Sequence, residues 1–142
     1  LDYAVDHFKP AAMVDLATLT GACMIALGEW ATGVFGNEDG LCDELAKAGD
    51  TSGECMWPMP LFPDHLRMMK SSIADIKNSG GREAGASTAA AFLEQFVGNT
   101  PWVHLDIAGT GWKSPRNAYY KTGATGVGVR TLVAWAQARV QQ

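Results

Sequence analysis

The sequence predicts an α/β fold in which helices cover a layered sheet. Two observations carry this. Short, nearly continuous apolar runs at 11–16, 32–35 and 102–108 alternate with segments at 38–48, 88–97 and Val129–Val140 whose apolar residues recur at helical spacing. Apolar runs without polar alternation fit strands covered on both faces, as in a parallel sheet.

Taken in order, Leu1, Ala4, Val5 and Phe8 have helical spacing, and Pro10 ends that pattern. With no N-cap, polar leader or Met before it, this start reads as a chain that begins inside a helix. AAMVDL (11–16) reads as a buried strand and Thr18–Gly21 as a turn, leading to a short apolar helix over 22–27. A strand is expected over 32–35, with Gly36 and Asn37 as turn residues. An amphipathic helix over 38–48 presents Leu41 and Leu45 at i, i+4. Residues 49–63 read as a Gly- and Pro-rich loop, and Asp64 as the cap of a helix to about Lys70. The stretch 71–86 reads as a long exposed loop with a short strand at 74–76. A helix over 88–97 has small residues at Ala89–Ala91 that permit close packing, and 102–108 is the most strand-like segment of the chain. Residues 109–128 read as loop, before a closing helix with Leu132, Val133, Ala136 and Val140 at helical spacing.

Of 142 residues, 47% are hydrophobic and 18% charged, which fits a folded domain with a real core. The net charge of −4 and the absence of a basic stripe give no footprint for nucleic acid. No apolar stretch approaches the roughly 18 residues that span a bilayer, and the N-terminus lacks the pattern of a signal peptide. Cys23, Cys42 and Cys55 are odd in number without CxxC spacing, so reduced thiols in a reducing compartment are expected.

Few side chains suggest chemistry. His104 and Asp106 lie two apart on a predicted strand and so share a face, as a metal pair would. Zinc needs three or four ligands, however, and no third has suitable spacing. Hydrogen-bonded polar groups at a strand end are the more economical reading, at the end where α/β sheets place ligands. No histidine lies near a GxSxG elbow, and Ser87 in GASTAA lacks the flanking glycine, which argues against a serine or cysteine hydrolase. The glycine-rich stretches 80–88 and 123–128 precede helices but match neither GK[ST] nor GxGxxG after a strand, so each alone reads as a structural turn. Met56, Met59, Met68 and Met69 read as core rather than an adaptable pocket, and the five tryptophans are too scattered to stack bases.

Six segments taken together carry more: DLATLTGA (15–22) with IALG (25–28) and ATGVF (31–35); MWPMPL (56–61); SIADIKN (72–78); AGASTAAAFL (84–93); WVHLDIAG (102–109); and KTGATG (121–126). In this order, over almost the whole chain, they resemble the C-terminal part of the catalytic domain of the leucyl (cytosol) aminopeptidases. The resemblance implies a three-layer α/β/α sandwich with a mixed, mainly parallel sheet, truncated at its N-terminal side, residues 1–142 being the C-terminal portion of that domain. It implies a cytoplasmic two-metal exopeptidase that removes N-terminal residues, such as Leu, from peptides. Two divalent ions, manganese or zinc, would activate a water, hold the free amino group and polarise the carbonyl. The family's ligands come from an upstream Lys and from Asp and Glu residues, the last of them in NTDAEGRL, which also carries a catalytic Arg. This chain contains no such signature, so no metal ligand or catalytic residue is assigned to it, and neither bound metal nor activity is expected of it alone. The resemblance does place a substrate wall here: Thr18, Leu19 and Gly21 in a loop near the catalytic centre, Ala108 against the first substrate side chain, and Gly111 where some members carry Met. It also draws the loop 80–86 to the active-site region and makes His104 and Asp106 structural. Peptide substrates and a homo-oligomer, a hexamer, follow for the intact protein, with no membrane or nucleic-acid partner.

Two other classes stand beside this reading. A catalytically inactive binding or structural module would look the same over these residues, and a nucleotide-binding domain would use 123–128. A sheet cut short would also leave an open strand edge and exposed apolar surface, predicting marginal stability or self-association.

Overall fold

The computed structural model describes residues 1–112 and 122–140. Its elements run α1 (Asp2–Phe8), β1 (Met13–Ala17), α2 (Gly21–Leu27), β2 (Thr32–Gly36), α3 (Asp39–Ser52), β3 (Met56–Pro58), α4 (Pro63–Met68), α5 (Gly85–Glu94), β4 (Trp102–Asp106) and α6 (Val129–Val140).

The sheet order is β1-β4-β2-β3. β4 lies parallel to β1 with Asp15 opposite His104, and antiparallel to β2 with Phe35 opposite His104. β2 and β3 pair in parallel. The expected mixed, mainly parallel sheet is therefore present.

Alternation along the strands sorts side chains to two faces. Val14, Leu16, Val34, Met56, Val103 and Leu105 join Leu41 and Leu45 of α3 and Leu132 and Trp135 of α6 in one core. On the other face Phe35 packs with Cys23 of α2 and with Ala86 and Ala90 of α5. Helices thus cover both sides, giving the three layers. The alanines let α5 approach closely: a Cβ on Gly85 would stand 3.0 Å from that of Ala22.

Caps set several helix limits. Both carboxylate oxygens of Glu38 accept amides at the start of α3, from Gly40 at 3.1 Å and Leu41 at 2.6 Å. Gly53, with φ of 71°, ends that helix in the left-handed conformation. α3 and α6 are also clasped at their surface, where Glu44 accepts from Trp135 Nε1 at 2.9 Å and Arg139 Nε at 2.8 Å. The Arg139 bond is the main reason that the Glu44 carboxyl titrates below its ordinary value.

The structure corrects several local expectations. Residues 74–76 form bends and not a strand; Ser71 Oγ accepts the amides of Ile73 and Ala74, and Ile73 is 96% exposed. Residues 49–63 are not all loop, because α3 continues to Ser52 and β3 follows. Asp64 is inside α4, where it pairs with Arg67, and Phe62 holds the N-cap position. α5 begins at Gly85 and ends at Glu94, ahead of the expected limits at both ends. α1 has no buried residue. The three thiols are free, with Cys23 buried and Cys55 exposed.

Candidate functional site

The strand-to-loop connections of β1 and β4 leave the sheet side by side, and Asp106, the last residue of β4, joins them. One oxygen of its buried carboxylate accepts the amides of Leu19 and Ala108, both at 3.1 Å. The other accepts the Thr20 hydroxyl at 2.7 Å. Thr20 Oγ1 in turn accepts the Cys23 amide at 3.0 Å, capping α2. A single carboxylate therefore fixes the 18–21 turn against the 107–111 loop. A buried, fully hydrogen-bonded carboxylate is a rigid joint, since each lost bond would strand a desolvated partner.

An open cleft of about 530 Å³ adjoins this joint, lined by the 19–22 turn, the loop 78–82 and the start of α5. Among the five wall residues expected from sequence, Leu19 and Gly21 line it directly. Thr18 is exposed at the head of the same turn. Ala108 does not line the cleft but is tied to its wall through Asp106. Gly111 belongs to the next turn, donating its amide to the Ile107 carbonyl at 2.7 Å and accepting from the Thr125 amide at 3.1 Å. A Cβ there would stand 2.9 Å from the Ile107 oxygen, so a larger residue requires the turn to shift. The loop 80–86 reaches the cleft through Gly80, Gly81, Arg82 and Gly85. Lys121, at the head of the last matching segment, lies outside the described residues.

Thr20 is the residue whose part in this site the sequence reading missed; Asp106 was expected to be hydrogen-bonded at its strand end, but its partners were not. A threonine directly before an apolar helical run is an N-cap signal, and it was available. The convergence of Leu19, Thr20 and Ala108 on Asp106 spans 86 residues in the Thr20 bond and has no local signature.

A divalent ion does not fit the candidates within the chain. Both oxygens of Asp106 are occupied by protein donors. His104 is fully buried, its Nδ1 lying 2.7 Å from Asp15, whose other oxygen accepts Trp102 Nε1 at 2.6 Å. Among the described residues no group of three or more His, Cys, Asp or Glu side chains is placed to hold a metal ion. The geometry bears out the hydrogen-bonded reading for Asp106 and for Nδ1 of His104, while the buried Nε2 of His104 has no hydrogen-bond partner among the described residues.

The glycine-rich segment 123–128 also has a structural explanation. Glu54 is buried, and its Oε2 accepts the Gly128 amide at 3.0 Å, the Thr131 amide at 3.1 Å and the Thr131 hydroxyl at 2.7 Å. This carboxylate occupies the position at the start of α6 that a phosphate would take in a nucleotide site.

Fold and loops together define a layered α/β protein with a loop cluster at the carboxyl ends of two adjacent parallel strands. The model of the "Cytosol aminopeptidase family, catalytic domain" matches residues 1–133. A probable cytosol aminopeptidase of Geobacter sp. (strain M21) is 57% identical over 128 residues, covering 90% of this chain and 26% of that protein. One from Roseiflexus castenholzii is 52% identical over 143 residues, covering 97% of this chain and 29% of that protein. A solved structure of a tomato leucine aminopeptidase mutant superposes with a TM-score of 0.89 at 43% identity, covering 97% of this chain and 26% of that one. The chain belongs to the cytosol aminopeptidase family, and spans about a quarter of the length of the relatives it matches. Among the described residues no helix is long and apolar enough to cross a membrane.

Proposed function

We propose that this chain is the C-terminal portion of a leucyl aminopeptidase catalytic domain, and that it supplies the wall of a peptide site in a cytoplasmic two-metal exopeptidase. The observation that carries the reading is the Asp106 joint, which holds Leu19, Thr20 and Ala108 in one rigid arrangement beside an open cleft. Walls of this kind orient a substrate, and orientation contributes much of an enzyme's rate. Thr18, Leu19 and Gly21 face the peptide in this reading, with Ala108 and Gly111 shaping the pocket for its first side chain. The two divalent ions, manganese or zinc, are held by residues outside this chain, and no metal binds to it alone. Assembly as a homo-oligomer, a hexamer, belongs to the same proposal for the intact protein.

The test is hydrolysis of leucine p-nitroanilide with and without manganese or zinc. The expected result is no turnover by the 142-residue chain and metal-dependent turnover once the ligand-bearing portion of a relative is supplied in trans. Metal-dependent turnover by the chain alone would overturn the division of labour and make His104, Asp106 and Asp75 the first residues to mutate.

A further inference from the structure

The cleft beside the Asp106 joint has an unusual charge pattern for an acidic protein. The chain carries a net charge of −4, yet among the described residues no Asp or Glu lines the cleft and Arg82 is its only charged lining residue. Among the described residues Arg82 has neither a hydrogen bond nor an ion pair. Its loop is nevertheless held down. The Lys77 amide donates to the Met69 carbonyl at 2.7 Å. Gly80 sits so close to buried Thr88 and Met69 that an added Cβ would lie 2.7 Å from Thr88 Cβ and 2.9 Å from the Met69 sulfur. An anchored loop thus presents an unpaired guanidinium at the cleft rim. Across the cleft, Leu19, Ala22 and Ile25 make an apolar wall, with Ile25 90% exposed.

We propose that this cleft binds a short peptide and that Arg82 receives its free α-carboxylate. The inference rests on the reading of the loop cluster as a peptide site, and names the feature by which that site selects among peptides. A guanidinium offers a planar fork of donors that matches a carboxylate in two parallel bonds. Among the described residues no acidic side chain lines the cleft to compete for the cation. The apolar wall suits the side chains that precede the carboxylate. Because Arg82 is exposed, the preference is modest and salt-dependent.

The experiment is an NMR titration of the 142-residue chain with trialanine, trialanine amide and Ala-Glu-Ala amide, repeated with Arg82→Gln. At low salt trialanine is expected to bind about two- to fivefold more tightly than its amide, shifting the amides of Gly80, Gly81 and Gly85. The difference narrows with added salt and disappears in Arg82→Gln. Ala-Glu-Ala amide is expected to bind as weakly as trialanine amide; affinity equal to that of trialanine would overturn the assignment to the α-carboxylate. Equal dissociation constants for trialanine and its amide, no binding by either, or shifts confined to other surfaces would overturn the proposal. Binding is read without turnover, so its failure is separate from failure of the leucine p-nitroanilide assay.

Discussion

Asp106 accepts the Thr20 hydroxyl at 2.7 Å across 86 residues of sequence, and this bond joins the end of β4 to the turn that opens α2. Replacing Asp106 with Ala strands the Leu19 and Ala108 amides as well as the Thr20 hydroxyl in a half-buried setting. The expected loss of stability is about 2–4 kcal/mol, from unsatisfied half-buried partners. Asp106→Asn keeps one carbonyl acceptor and should lose less. Thr20→Ala, which removes the α2 cap, should cost about 1 kcal/mol. Urea denaturation of the three variants checks the ranking, and equal midpoints for Asp106→Ala and wild type would remove Asp106 as the joint.

A second prediction concerns Glu54, whose carboxylate receives three donors at the start of α6 and the Arg130 Nε at 3.3 Å. Glu54→Ala should destabilise by about 2–4 kcal/mol and speed hydrogen exchange first in α6. A nucleotide should leave the wild-type melting temperature unchanged, because Glu54 already fills the anion position. A rise with nucleotide concentration would instead signal binding to the native state.

Large parts of this architecture were legible from residue pattern. β4 could be read because Trp102, Val103 and Leu105 are aromatic, β-branched and aliphatic residues in a short run after Pro101, and all five of its residues are buried. α3 was legible from Leu41 and Leu45, both fully buried. β3 was not, because only Met56 of its three residues is buried and Pro58 ends it at the sheet edge. The bend at 74–76 misled for the opposite reason: Ala74 and Ile76 flanking Asp75 resemble the alternation of a strand, yet no partner strand lies beside them among the described residues. At the site, the segments 18–21 and 108–111 could be named by resemblance. The joint that couples them could not, since its donors lie on separate loops and meet only when β1 pairs with β4. Glu54 is the same case, reaching Gly128 across 74 residues.

Gly109 offers a sharper test of that coupling. An added Cβ would stand 2.0 Å from the Gly28 carbonyl oxygen and 3.1 Å from its carbon. Both are backbone atoms, so no rotamer change relieves the contact. Gly109→Ala must therefore displace either the end of α2 or the loop that carries Ala108 and Gly111. A destabilisation of at least about 2 kcal/mol is expected, as for other overpacked buried sites. Gly53→Ala provides the contrast. Nothing lies within 4 Å of its added Cβ, and only the left-handed φ of 71° opposes the change, so its cost should be about 1 kcal/mol. Thermal unfolding of both variants decides the matter, and a smaller effect at Gly109 than at Gly53 would contradict the close approach.

Cys23 supplies a prediction in pH. Burial first, and then the negative charge of Asp106, push its thiol from 9.0 up to about 11. The folded state therefore retains this proton more strongly than the unfolded chain. The resulting stabilisation is complete below pH 9, where both states are protonated. As pH rises from 9 to about 11 the unfolded chain ionises first, so stability falls across that window and levels off above it. The contribution is on the order of 2 kcal/mol from a shift of this size. Cys42 is raised to about 11 as well, by burial and then by Asp39, Asp43 and Glu38, and acts in the same direction. Cys23→Ala should flatten part of the decline between pH 9 and 11 while adding its own cavity cost at every pH. Reactivity provides an independent readout, because the thiolate is the reacting species. At pH 8 a maleimide should modify exposed Cys55 rapidly and buried Cys23 only upon unfolding. Equal labelling rates for the two in the folded protein would show that α2 opens readily from the sheet, and the Asp106 joint would then not be the rigid element described above.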